Sequence, residues 1–286
     1  MLNWIRGYLS RASGRYFKRP LPETLWQANQ ARYPFLSRLD PVAQTHLREL
    51  VSAFLQQKEF YGANGLMVTD AMALAVASQA CLPLINLAPR GDITAALRWY
   101  DDFIGIVLHP GEVVARREIT DQSGVVHNYR ENLVGEAMDG GPVMLSWAAV
   151  DAAGQTSEQG FNVVIHEFAH KIDLQDGHAD GCPPLPAGFM NARNQAQARQ
   201  IWTTQLQAEF EKFRDQVAAF ERFSGLVEPP WLDPYAASAI SEFFAVAAEA
   251  YFVNPDRLCS QSLGLHHLLD HFFRPQESSS IKPLHP

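Results

Sequence analysis

The chain has 286 residues, 47% of them apolar, enough to bury a full core, and its formal net charge of -8 leaves no basic surplus for general nucleic-acid binding. Three scattered cysteines, Cys81, Cys182 and Cys259, argue against a disulfide framework and for a reducing compartment, expected to be the cytoplasm. The most apolar run, Ala71 to Leu87, is too short and too interrupted by Ser78, Gln79 and Pro83 to span a bilayer, and reads as a buried helix.

Residues 1–20 carry Arg6, Arg11, Arg15, Lys18 and Arg19 with no acidic residue and no continuous apolar core, so they are expected to be a basic, mobile tail rather than a signal peptide. Trp4, Ile5, Tyr8 and Leu9 offer a short amphipathic anchor as the other reading. The remainder, 21–286, is expected to be one domain. Asp40-Pro41 marks a helix start, followed by Leu47, Leu50, Val51, Phe54 and Leu55 at helical spacing. Thr69 and Asp70 are placed to cap the next helix, which should stop near Pro83. Phe103 to Leu108, Val113 to Ile119, Asn132 to Met138 and Val143 to Trp147 are short apolar or alternating runs set off by Gly-containing turns, and are predicted strands. The last of these either presents an exposed edge to an extended peptide or is a buried sheet strand.

Val163 to Gly177, VVIHEFAHKIDLQDG, contains H-E-x-x-H. Residues four apart on a helix lie one turn above each other, so His166 and His170 can offer imidazole nitrogens to one zinc ion while Glu167 stays unliganded as a proton acceptor. Ile165, Phe168, Ala169 and Ile172 form the opposite, core-facing stripe. Asp173 follows at i+3 from His170. It either orients a ligand imidazole, pairs with nearby backbone or lies on the surface.

Gly and Pro then make 176–189 a loop. Trp202, Leu206, Phe210, Phe213, Val217 and Phe220 repeat at spacings of three and four, predicting one long amphipathic helix or two in series. Asp176, His178, Asp180 and Cys182 mix hard and soft donors and suit no metal well, and His267 and His271 in HHLLDH read as a solvated helix face.

Downstream, LDPYAASAISEFFAVAAEAYF (232–252) sets Tyr235 seven residues before Glu242, two turns if the helix begins early enough. Glu249, seven beyond Glu242, is the alternative third ligand. HEFAHKID together with Y-A-x5-EFFA resembles the Mlc titration factor A family of bacterial metallopeptidases and, more remotely, the catalytic domain of anthrax lethal factor. The likeness runs from roughly Phe60 to Pro255. It implies an α+β zincin-like fold with a small mixed or antiparallel sheet packed on the H-E-x-x-H helix. It also implies one zinc ion held by His166, His170 and Glu242, Glu167 as general base and acid, and Tyr235 as oxyanion stabiliser. Aminopeptidase activity on peptide substrates and binding to the glucose-responsive repressor Mlc are implied as well. The rival reading is a regulator-sequestering protein whose metal site is structural or vestigial.

Overall fold

The computed structural model describes residues 21–275 except 112, 121–125, 134, 138–139 and 224–225. The basic segment with its alternative anchor, and the Met138 and Asp139 positions of the predicted strand and turn, lie outside the described residues.

Helix α1 (Glu23–Arg32) precedes α2 (Pro41–Gln57), which starts as the sequence predicts: Asp40 Oδ1 accepts from the Val42 and Ala43 N–H groups at 2.9 Å, with Pro41 at the first helical position. Strand β1 (Glu59–Gly62) leads to α3 (Asp70–Cys81), capped by Thr69 and buried at every position from Met72 to Cys81. Pro83 has no N–H to continue the α-helical ladder, and the chain tightens into a 3-10 turn over Leu82–Leu84. A short α4 (Ile93–Leu97) comes next, followed by β2 (Gly105–His109) and a hairpin of β3 (Val113–Thr120) with β4 (Val126–Leu133). Strands β5 (Gly135–Ala137) and β6 (Val143–Ser146) follow, then α5 (Trp147–Thr156) and α6 (Val163–Asp173). Ser146 caps α5, so Trp147 opens a helix instead of ending the strand as expected.

The main sheet has the order β1-β2-β6-β5. Its first three strands are parallel, and β5 alone runs antiparallel, against β6. The fold is therefore α+β with a mixed sheet that is parallel in the main; the antiparallel β3–β4 pair stands apart as its own two-stranded sheet. Register stacks Phe60 beside Ile106, Ile106 beside Val143 and Leu108 beside Leu145, all buried, so one sheet face joins the core. Strand β6 is paired on both sides. The edge-strand reading of Val143 to Trp147 is thereby corrected: the last strand in the order is β5, which among the described residues pairs with β6 alone.

Beyond α6, α7 (Gln195–Arg222) is a single 28-residue helix, not two in series. It buries Trp202, Leu206, Phe210, Phe213 and Val217. Phe210 and Phe213 meet Phe243 of α8 (Ile240–Val253) at ring separations of 5.6 and 5.7 Å, and Trp202 meets Phe244 at 5.8 Å. Full burial of each such ring is worth about 1.5–3 kcal/mol, so α7 braces α8 from behind. The Trp202 indole also donates to the Gly181 carbonyl at 2.7 Å. Gly181 has φ +74°, and a Cβ there would stand 2.9 Å from the Ile240 carbonyl oxygen, so only glycine lets this loop lie against the start of α8. Helices α9 (Pro255–Gln261) and α10 (Leu263–Phe273) are the last helices of the described residues. Among the described residues, no helix is long and apolar enough to cross a membrane.

Candidate metal centre

Helix α6 begins at Asn162, whose side-chain oxygen accepts from the Ile165 N–H at 2.9 Å, and continues through a 3-10 turn to Gly177 at φ +86°. Its predicted apolar stripe is buried in full. Phe168 packs edge-on to Tyr100 at 4.9 Å and lies 5.8 Å from both Phe54 and Phe103. Lys171, on the same helix, is fully buried and pairs with Asp102 at 2.6 Å while donating to the Gly141 carbonyl at 3.3 Å. Apolar packing and this part-buried ion pair therefore fix the rotation of α6, and with it the direction in which its histidines point.

His166 and His170 approach Glu242 of α8. The two Nε2 atoms are 3.2 Å apart, and each is 3.2 Å from Glu242 Oε2. Three donors on a triangle of that edge match a metal ion with ~2.0 Å bonds, for which tetrahedral geometry gives edges of about 3.3 Å. Among the described residues, these three form the group placed for an ion, and one tetrahedral vertex is left over. Glu242 sits in the first turn of α8, where the helix dipole favours its charge.

Glu249 lies two turns further along the same face of α8. Its Oε1 meets His166 Nδ1 at 2.8 Å and its Oε2 accepts from the Asn162 N–H at 2.5 Å. One face of α8 thus supplies a carboxylate to each nitrogen of a single imidazole. In the neutral ring, an Nδ1–H donated to Glu249 leaves the Nε2 lone pair directed at His170 and Glu242. Glu249 addresses the far nitrogen, so the geometry sets it outside the three-donor group.

Burial opposes charge on His166, but hydrogen bonds to Glu242 and Glu249, together with the charge of Glu167, carry its pKa well above the imidazole range. Burial also pushes Glu242 up, yet its bonds to both imidazoles outweigh this and hold it below the usual carboxylate range. The more deeply buried Glu249 goes the other way, because burial outweighs its bond to His166. Glu167 itself is buried at 5% exposure.

Tyr235 reaches the site by a different route from the one its spacing suggested. It lies on a 3-10 turn over Pro234–Ala237, and Ala239 is extended before α8 begins, so Tyr235 and Glu242 do not share a helix. Asp233 caps this turn by accepting the Tyr235 N–H at 2.9 Å. The tyrosine ring nevertheless stands 6.4 Å from the His166 ring and is 43% exposed, so it flanks the centre.

Of the other candidates, Asp176 and Asp180 are both bridged by Arg199, and burial pushes the Cys182 thiol up to about 12, which suits a structural loop. His267 and His271 are exposed on α10, and Asp270 accepts from the Tyr251 hydroxyl at 2.8 Å. Asp173 turns out to be fully buried, with Oδ2 accepting from the Gly181 N–H at 2.8 Å and Oδ1 without a partner. It ties the end of α6 to the loop that Trp202 pins.

Burial raises the Asp173 pKa to about 7, against an unfolded value of about 3.9. The folded state therefore holds this proton more tightly, and the stability it contributes is present below pH ~4 and is lost as pH rises through ~7. Asp173→Asn keeps an acceptor for Gly181 and has no proton to lose. In metal-free protein its melting temperature is expected to gain on wild type between pH 5 and pH 8; a difference that does not change with pH would count against the raised pKa.

A mixed sheet packed on an H-E-x-x-H helix, with a carboxylate from a following helix completing the donor group, points to the metallopeptidases as a class. The chain belongs to the glucose-regulated metallo-peptidase M90 family, whose sequence profile matches residues 8–274. Mlc titration factor A of Klebsiella pneumoniae (strain 342) is 29% identical over 250 residues, 87% of this chain and 85% of the relative. The proteins of that name from Yersinia pestis (strain Pestoides F) and Yersinia pseudotuberculosis (serotype O:1b, strain IP 31758) are each 29% identical over 266 residues, 92% of this chain and 90% of the relative.

Proposed function

We propose that this chain is a zinc-dependent peptidase in which His166, His170 and Glu242 hold one zinc ion, Glu167 is the general base and acid, and Tyr235 stabilises the oxyanion. The observation that carries this reading is the 3.2 Å triangle of donors next to a carboxylate on the same helix. Zinc bound there supplies Lewis acidity and lowers the pKa of a water ligand to about 7. Glu167 takes the proton of the attacking water and returns it to the leaving amine. Tyr235, on the rim, donates its hydroxyl to the charge that develops on the scissile carbonyl oxygen. Among the described residues β5 pairs with β6 alone and packs with α6, and such a strand suits an extended peptide held by main-chain hydrogen bonds.

The family resemblance supports aminopeptidase activity as the form of this chemistry, and three scattered cysteines support the cytoplasm as its setting. The name shared by the relatives, Mlc titration factor A, supports binding of the repressor Mlc as a regulatory role. Metal analysis with a peptide digest tests the enzymatic reading. One zinc per chain is expected, with hydrolysis abolished by a chelator and restored by zinc. Undiminished hydrolysis by metal-free protein would overturn it. A fully zinc-loaded protein that cleaves no peptide in a library would favour the sequestering alternative.

A further inference from the structure

Beyond the donor triangle, a chain of buried polar groups runs away from the site into α3. Gln79 is fully buried in that helix, where Ser78 is the neighbouring buried polar side chain. Its Nε2 donates to the Ala75 carbonyl at 2.9 Å, leaving Oε1 to accept from Asn162 Nδ2 at 2.7 Å. Asn162, 1% exposed, is in turn committed at every group: its Oδ1 caps α6 at Ile165, its carbonyl receives the His166 N–H at 3.0 Å, and its own N–H goes to Glu249 Oε2. The other oxygen of Glu249 holds His166 Nδ1. The Gln79 amide is oriented by Ala75, which orients the Asn162 amide, which leaves Oδ1 for the helix cap and fixes the backbone N–H that anchors Glu249.

We infer that Gln79 and Asn162 are positioning residues for the metal centre, acting through Glu249 to set the ring orientation and tautomer of His166. Burying an amide among α3 side chains that are otherwise almost entirely apolar costs free energy unless its hydrogen bonds are met, and both ends of Gln79 are met only in this arrangement. The partners that fix a metal-binding histidine are typically worth about 10–100-fold in metal affinity when removed. Gln79 acts two links further out, so its removal is expected to be smaller but coupled to Glu249. This inference rests on the metal-binding reading of the donor triangle.

The test compares zinc affinity, by competition with a chromophoric chelator, and the visible absorption of the cobalt-substituted protein in wild type, Gln79→Met, Asn162→Ser, Glu249→Gln and the Gln79→Met/Glu249→Gln double variant. Methionine fills the Gln79 volume without an acceptor. Serine retains a helix-capping oxygen at position 162 but cannot donate to Gln79. Both single variants are expected to melt cooperatively, to lose affinity about three- to tenfold, and to shift the cobalt bands in the same direction as Glu249→Gln, which should lose about 10–100-fold. In the double variant, Gln79→Met should add little to Glu249→Gln, because the path it acts through is already cut. Should Gln79→Met fail to fold, Asn162→Ser against Glu249→Gln gives the same comparison. Wild-type affinity and an unshifted cobalt spectrum in either folded variant, or strict additivity in the cycle, would overturn the relay while leaving the donor triangle intact. Absence of zinc and cobalt binding by wild type would overturn the underlying metal reading.

Discussion

Glu167→Gln is expected to retain its zinc while turnover of a peptide falls by about 10²–10⁴-fold, the range that a positioned general base and acid contributes. Glutamine has nearly the same shape and can replace the carboxylate in packing, but it cannot accept a proton from the attacking water or return one to the amine. The side chain is buried at 5% exposure and its charge bears on His166, so it sits beside the proposed ligands where solvent screening is low. The loss should appear in kcat, because binding of the peptide does not depend on this proton transfer. Metal content measured on the same preparation separates loss of the base from loss of the ion. Equal turnover by wild type and variant would sink the assignment and return the chain to the sequestering reading.

The features of this site that lie within one element were open to the sequence, because helical spacing alone dictates them. The buried stripe of Ile165, Phe168, Ala169 and Ile172, the Asp40 and Thr69 caps and the long face of α7 follow from periodicity and capping chemistry. Features set by pairing between distant segments were not. Strand β6 has the same alternation whether it lies at an edge or inside the sheet, and only its contacts with β2 and β5 decide the matter. Nothing in the sequence marks Lys171 for burial, since its partner Asp102 is 69 residues away. Gln79 looks like an interruption of an apolar helix until Asn162, 83 residues on, is brought to it. Glu249 did carry a signal: its spacing of seven from Glu242 places both on one face, but spacing cannot say which nitrogen of which histidine each carboxylate meets. Tyr235 shows the converse, a correct neighbourhood reached for the wrong reason, because Ala239 breaks the helix that was to carry it.

Those two carboxylates give the second large effect. Glu242→Ala removes the carboxylate that meets both Nε2 atoms, leaving two imidazoles to hold the ion, and zinc affinity is expected to fall by more than about 100-fold, beyond what loss of an outer partner causes. Glu249→Ala leaves all three donors in place and frees the Nδ1 side of His166 and the Asn162 N–H, so its loss should stay within about 10–100-fold and zinc should remain bound at stoichiometric concentrations. The ranking follows from which nitrogen each residue faces, since an imidazole whose Nδ1–H is held presents Nε2 to the metal. Burial acts in the opposite sense on overall stability. Glu249 is the more deeply buried of the two, and its removal strips the Asn162 N–H of its acceptor at the start of α6, so Glu249→Ala should lower the melting temperature of the metal-free protein more than Glu242→Ala does. Zinc titration and thermal melts of both variants read the two orders separately. Retention of tight zinc by Glu242→Ala together with its loss in Glu249→Ala would make Glu249 the third ligand.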